Sequence, residues 1–391
     1  MVQPSDGVRP PAAPTLGAVS SMKHSMKHLI GRRRFVVPAL MTAMLVGACG
    51  TDNNTSSPTG GASGSANDGA VTCATGTVSG AGSTFVQTIV QQWIKDFGAR
   101  CPGATVNYQG VGSGAGIQQL SAGTVDFAGS DVVMKPDEQA AAETKLGPVL
   151  TIPWSAGGIA VEYNLPGVTD LKLTPEALGG IFSGRITKWD DPAIRSVNSG
   201  TSLPSTSIQV IHRSDGSGTT AAFTAFLAAT APSVWTAGSG KDVAWPAGQG
   251  AKGSDGVTAA VKGAQGAVGY AELSFPKGAN LGIAKIRNAA GTFVGPEGPA
   301  VAAALAEAQV PADLKVKVNY TPQSAGAYPI STTTFVLVPK KPADPAKAKL
   351  LKAFVLYALG EGQKAAESLD YAPLPRSLAE EATTVTTSIG S

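Results

Sequence analysis

The sequence predicts an α/β protein, and three observations carry that prediction. Short β-branched runs alternate with helical patterns, apolar residues make up 43% of the chain, and 391 residues exceed what one core serves, pointing to roughly two or three domains. From Val71 onward ATVNY, VDFAG, GIAVEYN, SIQVIH, GAVGYAE and TTTFVLV read as strands. FVQTIVQQWIKDF and TAAFTAFLAAT between them read as helices. In the first helix Phe85, Ile89, Trp93 and Phe97 recur every four residues beside Val86, Val90 and Ile94. That spacing makes one wide apolar face, so Trp93 is a core residue and not a cofactor contact.

The first 48 residues read as a targeting segment. Arg32, Arg33 and Arg34 precede the apolar stretch Phe35 to Ala48, which at 14 residues is too short to span a bilayer. Leu45 to Cys49 then resembles a bacterial lipobox, in which the cysteine is lipidated after cleavage. GRRRFVV also fits a twin-arginine signal, a pattern that three consecutive arginines satisfy easily, so the export route stays open between Sec and Tat. Residues 1–21 are Pro-rich and polar, unlike a signal, which makes Met22 or Met26 alternative starts. Gly50 to Ala70 holds almost nothing apolar; a flexible tether of that length spans about 25 Å root-mean-square. The expected location is outside the cytoplasm, lipid-anchored to the outer face of the cytoplasmic membrane.

Export places Cys73 and Cys101 in an oxidising compartment, where they either form a disulfide or remain two separate buried thiols. Charge divides in the same way. Residues 1–48 carry +5 of the chain's net +3, leaving −2 on a nearly neutral body. Such a body has no basic surplus to exchange for the counterions of a nucleic acid.

Glycine and proline together are about 19% of the chain, and three Gly-rich segments share one grammar: Ser79–Phe85, Gly110–Gly116 and Ser214–Thr220. Each precedes a helix, with Ser or Thr at or near the N-cap and glycines that let backbone approach closely. A helix N-terminus with free N–H groups is an anion site. Arg213 stands beside the third segment. Asp131 has two readings, a turn or N-cap residue, or an acceptor that tolerates an anion only if the anion still carries a proton. Phosphate near neutral pH carries one and sulfate does not, so such a site discriminates between them.

The motifs GAGSTF, VNYQGVGSGAGIQQLSAGTVDFAGSD, GRITKWDDPAI, HRSDGSGTT, GSDG, GAVGYAE and YPISTTTFVLV resemble the phosphate-binding lipoprotein of the bacterial high-affinity phosphate ABC transporter. The likeness runs from about Gly76 to Pro375. It implies a two-lobed periplasmic-binding-protein architecture of type II with two chain crossings at the hinge. The crossings fall near Trp154–Gly158 and Tyr328–Ser331, which puts residues 71–154 with 330–391 in lobe I and 155–329 in lobe II. It also implies that phosphate is held by Thr84, Phe85, Ser113 and Asp131 from one lobe and by Arg213, Ser217, Gly218 and Thr219 from the other. Asp215 then pairs with Arg213 and neutralises it. The implied partners are inorganic phosphate and ABC permease subunits with a cytoplasmic ATPase, the protein acting as a monomer. The unusually long N-terminus and the Gly/Ala-rich variation at Ala115-Gly116 and Thr220-Ala221-Ala222 depart from the pattern without touching a proposed donor, and the segment Arg287 to Val318 is the part the likeness supports least.

Two alternatives stand beside this reading. A binding protein for sulfate, molybdate or an organic phosphate differs from this reading at Asp131. A secreted phosphatase needs a base or a metal, yet His212 is the only histidine after the leader, and no G-x-S-x-G elbow or Walker loop is present. Asp190-Asp191 before Pro192 marks a helix start, and Lys341 to Phe354 a solvated one. No metal, cofactor or catalytic residue is assigned.

Overall fold

The computed structural model describes residues 72–391. The targeting segment, the starts at Met22 or Met26, Cys49 and the tether lie outside the described residues. The chain opens with β1 (Gly76–Gly82), α1 (Gln87–Arg100), β2 (Ala104–Gly110), α2 (Ser113–Ser121), β3 (Phe127–Ser130), α3 (Pro136–Leu146) and β4 (Val149–Tyr163). It continues through β5 (Lys172–Leu173), α4 (Pro175–Phe182), α5 (Pro192–Arg195), β6 (Gln209–Arg213), α6 (Gly218–Thr230), β7 (Gln249–Ala251), α7 (Gly253–Gly263) and β8 (Ala267–Glu272). Then come α8 (Ser274–Ala279), β9 (Gly282–Ile283), β10 (Lys285–Arg287), β11 (Phe293–Val294) and α9 (Gly298–Leu305). The chain closes with β12 (Ser331–Pro339), α10 (Pro345–Leu359), two short 3₁₀ turns and α11 (Arg376–Thr387).

The main sheet runs β2-β1-β3-β12-β4-β8-β6-β7, with β9 on β4; β11, β10 and β5 form a small separate sheet. β1 is parallel to β2 and β3, and β6 is parallel to β7 and β8. The strand β4 joins the two parallel sets. Between Val149 and Gly158 every residue but Trp154 pairs antiparallel with β12, and the last five, Ile159 to Tyr163, pair antiparallel with β8. Pro153 interrupts the donors of this strand, and the ladder absorbs the break with a register shift between Thr334 and Phe335. The return path lies beside it: Ile159 donates to the Ile330 carbonyl at 2.8 Å, and the Tyr328 hydroxyl donates to the Ile159 carbonyl at 2.7 Å. The result is two lobes joined along β4 and β12.

In the first lobe Trp93 packs edge-on against Trp154 with ring centres 5.4 Å apart, and its indole N–H donates to the Gly362 carbonyl. Ile89, Val90, Trp93 and Phe97 are buried along α1, the apolar face expected. The helix starts later than its periodicity suggests, because Phe85 and Val86 are buried in the turn before Gln87 and continue the pattern without being helical. In the second lobe Phe223 stacks on Tyr270 at 4.4 Å and Phe182 packs edge-on against Phe223 at 4.8 Å. Cys73 and Cys101 are disulfide-bonded, tying the segment before β1 to the end of α1. Closing a loop of this length contributes on the order of 3 kcal/mol. Asp191 caps α5 and Asp344 caps α10 through their side chains. Among the described residues no helix is long and apolar enough to cross a membrane.

Candidate functional site

The parallel strands β1, β2, β3, β6 and β7 all end at one cleft, the carboxyl edge where open α/β sheets bind ligands. Ser83 to Phe85 follow β1, Ser113 opens α2 after β2, and Asp131 follows β3. From the other lobe, Arg213 ends β6, Ser217 caps α6, and Gly253 and Ser254 open α7.

Only one of the three Gly-rich helix starts has the expected hydroxyl cap. The Ser217 side chain accepts from Thr220 N–H at 3.1 Å, whereas Val86 stands at the N-cap of α1 and Gly112 at that of α2, neither with a side-chain cap. At Gly112 the reason is steric: its φ is +90°, and a Cβ there would collide with the Asp215 carboxylate. The Ser113 hydroxyl is thereby left free to reach the opposite lobe. It accepts from Gly218 N–H at 3.2 Å and from Asp131 N–H at 3.3 Å.

Thr84, Phe85, Ser113, Asp131, Arg213, Ser217, Gly218 and Thr219 are all buried at this junction. Thr219 Oγ1 donates to Asp131 Oδ2 at 3.2 Å, and Ser83 Oγ donates to Asp131 Oδ1 at 2.5 Å. Gly114 N–H donates to the Gly216 carbonyl at 2.8 Å, so main chain also meets main chain across the cleft. A Cβ on Gly218 would lie 2.6 Å from Ser113 Oγ and 2.8 Å from Asp131 Oδ2, an approach that only glycine permits. The first turn of α6 thus meets Ser113 and Asp131 with its backbone.

The Arg213 guanidinium grips Asp215 with two bonds, Nε to Oδ1 at 2.8 Å and Nη2 to Oδ2 at 2.5 Å. Gly253 N–H adds a third bond to Asp215 Oδ1 at 2.9 Å. Partial burial works to raise the Asp215 pKa, but Arg213 and the Gly253 amide outweigh it and hold the carboxyl below its ordinary value. Asp131 goes the other way: burial raises it, against the opposing pull of Ser83, Thr334, Arg213 and Thr219. The Tyr108 hydroxyl is pushed well above its usual value by burial and then by the Asp131 charge. Electrostatically the site is therefore a neutralised arginine, one buried carboxyl and a set of amides and hydroxyls.

Sequence reasoning assigned no role to Ser83 or Ser254. Ser254 Oγ lies 2.9 Å from Thr84 Oγ1, and Ser254 N–H donates to Thr84 Oγ1 at 3.2 Å. The signal was the GSDG motif, a fourth Gly-Ser helix start like the other three. His212 stacks on Trp245 with ring centres 4.7 Å apart and bonds the Arg213 carbonyl through Nδ1. Among the described residues no cluster of His, Cys, Asp and Glu has an arrangement able to hold a metal ion.

Residues 67–361 match the family described as a PBP superfamily domain. The chain is 37% identical over 356 residues to the phosphate-binding protein PstS of Xylella fastidiosa, covering 89% of this chain and 95% of the relative. It is 38% identical over 317 residues to the phosphate-binding protein PstS of Pasteurella multocida, covering 80% and 90%. To the phosphate-binding protein PstS 3 of Mycobacterium tuberculosis it is 36% identical over 342 residues, covering 85% and 92%. Among solved structures, the periplasmic phosphate-binding protein PfluDING, bound with phosphate at pH 8.5, superposes with a TM-score of 0.65 at 24% identity, covering 81% of this chain and 99% of that one. The phosphate-binding protein of Stenotrophomonas maltophilia gives a TM-score of 0.63 at 20% identity, covering 79% and 93%. The two superpositions carry the fold.

Proposed function

The chain belongs to the PstS family of phosphate-binding proteins, and we propose that it binds inorganic phosphate outside the cytoplasm and delivers it to an ABC permease for import. The observation that carries this reading is the buried meeting of Ser113 and Asp131 with Gly218 and Thr219, with the Arg213 charge acting on Asp131 and Thr84 bonded to Ser254. Its donors are neutral apart from an arginine already paired to Asp215. Such a site holds a dehydrated anion by hydrogen bonds and not by net charge.

The roles follow from the chemistry of each group. Thr84 donates its backbone N–H, Phe85 shares its own between the ligand and Ser83 Oγ, Thr84 and Ser113 offer hydroxyls, and Gly218 and Thr219 present the positive end of α6. Ser217 caps that helix and turns its hydroxyl proton to the ligand. Arg213 supplies the two-pronged contact and Asp215 limits its charge. Asp131 accepts the proton that phosphate retains. Sulfate, with no proton, meets the same carboxylate as an unrelieved repulsion, which is why phosphate is favoured over the other oxyanions.

Residues 71–154 with 330–391 and residues 155–329 act as the closing lobes, hinged where the chain crosses between them. Residues 1–48 serve as an export signal, Cys49 as the lipid anchor on the outer face of the cytoplasmic membrane, and residues 50–70 as the tether of a monomer. Equilibrium dialysis with radiolabelled phosphate tests the reading. Retained label that excess unlabelled phosphate displaces, and excess sulfate does not, is the expected result.

A further inference from the structure

Ser83 touches two of the groups assigned to the anion without being one of them. Its hydroxyl donates to Asp131 Oδ1 at 2.5 Å and accepts from Phe85 N–H at 3.0 Å. The direction is fixed, because an amide can only donate and the single hydroxyl proton is therefore left for the carboxylate. Ser83 is itself clamped on both sides of its backbone: its N–H donates to the Gly129 carbonyl at 2.8 Å, and its carbonyl accepts the Tyr108 hydroxyl at 2.9 Å. The other carboxylate oxygen faces the opposite lobe, toward Thr219 Oγ1 and the glycine that opens α6.

We infer that Ser83 is a positioning residue for the anion: by occupying Oδ1 it makes Asp131 meet phosphate through Oδ2 alone. The inference rests on the reading of this junction as a phosphate site. A carboxylate with one oxygen tied to a buried hydroxyl cannot rotate its plane, so the accepting lone pairs stay aimed at the first turn of α6. The same bond favours the form of Asp131 that can take the ligand's proton. Burial raises its pKa, and Ser83 is the foremost of the groups that resist the rise, ahead of Thr334, Arg213 and Thr219. The charged or titratable groups around Asp131 are Tyr108 from β2, Arg213 from β6 with Asp215 behind it, and Asp313, Lys315, Lys317 and Tyr320 on the cavity that reaches it. Replacing Ser83 by alanine leaves all of these in place.

The test is calorimetric titration of the intact protein with inorganic phosphate from pH 5.5 to 8.5, for wild type, Ser83→Ala, Asp131→Asn and the double variant. Ser83→Ala is expected to weaken binding roughly tenfold at the acid end, the scale of one bond to a charged group, and to recover toward pH 8.5. Its affinity profile thereby moves to higher pH, and in the Asp131→Asn background the same change moves nothing. An unchanged profile, or an equal shift without Asp131, overturns the inference while leaving phosphate binding intact. A wild type that gives no heat with phosphate at any pH overturns the site reading and this inference with it. Should Ser83→Ala melt too low to titrate, Ser83→Cys carries the test. Its weaker donor is expected to give an intermediate shift, and a wild-type profile there overturns the proposal equally.

Discussion

Thr84 and Ser254, 170 positions apart in the chain, face each other across the cleft with their hydroxyl oxygens 2.9 Å apart. Ser254 N–H also donates to Thr84 Oγ1 at 3.2 Å. Both residues are buried, and each bond joins one lobe to the other. Under the proposed closure of the lobes, this contact forms only when they come together, and it is then expected to stabilise the closed form.

Ser254→Ala removes the hydroxyl and keeps the amide. Leaving Thr84 short of one partner weakens phosphate binding by roughly tenfold, expressed mainly as faster release. Stopped-flow displacement with excess unlabelled phosphate measures this directly. A release rate equal to that of wild type counts against a role for this pair in closure.

Asp215→Asn leaves an amide that still accepts from Gly253 and Arg213 but removes the charge that neutralises the guanidinium. The site then gains a net positive charge, and long-range attraction to the anion becomes sensitive to salt. The expected outcome is a steeper fall of phosphate affinity between low and high ionic strength than wild type shows. Equal salt dependence in the two proteins indicates that Asp215 does not govern the charge of the site.

Glu272 is fully buried at the end of β8; Oε2 accepts the Ser274 N–H at 3.0 Å and its hydroxyl, while Oε1 has no hydrogen-bond partner among the described residues. Burial pushes its pKa up from 4.5 to about 8. Glu162, buried on β4 beside Thr258, is pushed up to about 8 in the same way. Between 4.5 and 8 the folded protein holds a proton that the unfolded chain releases, so stability falls as pH rises through that window. Glu272→Gln removes one such proton. Its melting temperature is expected to fall less than that of wild type from pH 5.5 to 8.5, with a gain on the order of a few kcal/mol at the alkaline end. Thermal melts across pH check it, and an identical slope in both proteins contradicts the burial of a neutral Glu272.

Much of the fold was legible in local patterns, and the limits of that legibility have physical causes. GAVGYAE and TTTFVLV read as buried strands because β-branched and aromatic residues fill them, and they are β8 and the body of β12. Of the long strand β4, the pattern GIAVEYN marks only the part from Gly158 onward, because Pro153 supplies no ladder donor and the bulge opposite it is a tertiary compensation. The start of α1 was misplaced because apolar spacing continues through Phe85 and Val86, which are buried by the turn and not by the helix. At the candidate site, Gly-Ser helix starts and Arg213 stood out as residue types with an intrinsic use for an anion. Ser83 and Ser254 did not, because a serine acquires a role from the partner that the fold brings to it.

The central claim is that one protonated oxyanion is held between the lobes with Asp131 accepting its proton. Calorimetric titration of the folded body and its Asp131→Asn variant with phosphate and with sulfate at neutral pH tests it most directly. The account predicts heat with phosphate and none with sulfate for wild type, and a markedly lower preference for phosphate in Asp131→Asn. No heat with phosphate, or an unchanged phosphate-to-sulfate ratio in the variant, contradicts it.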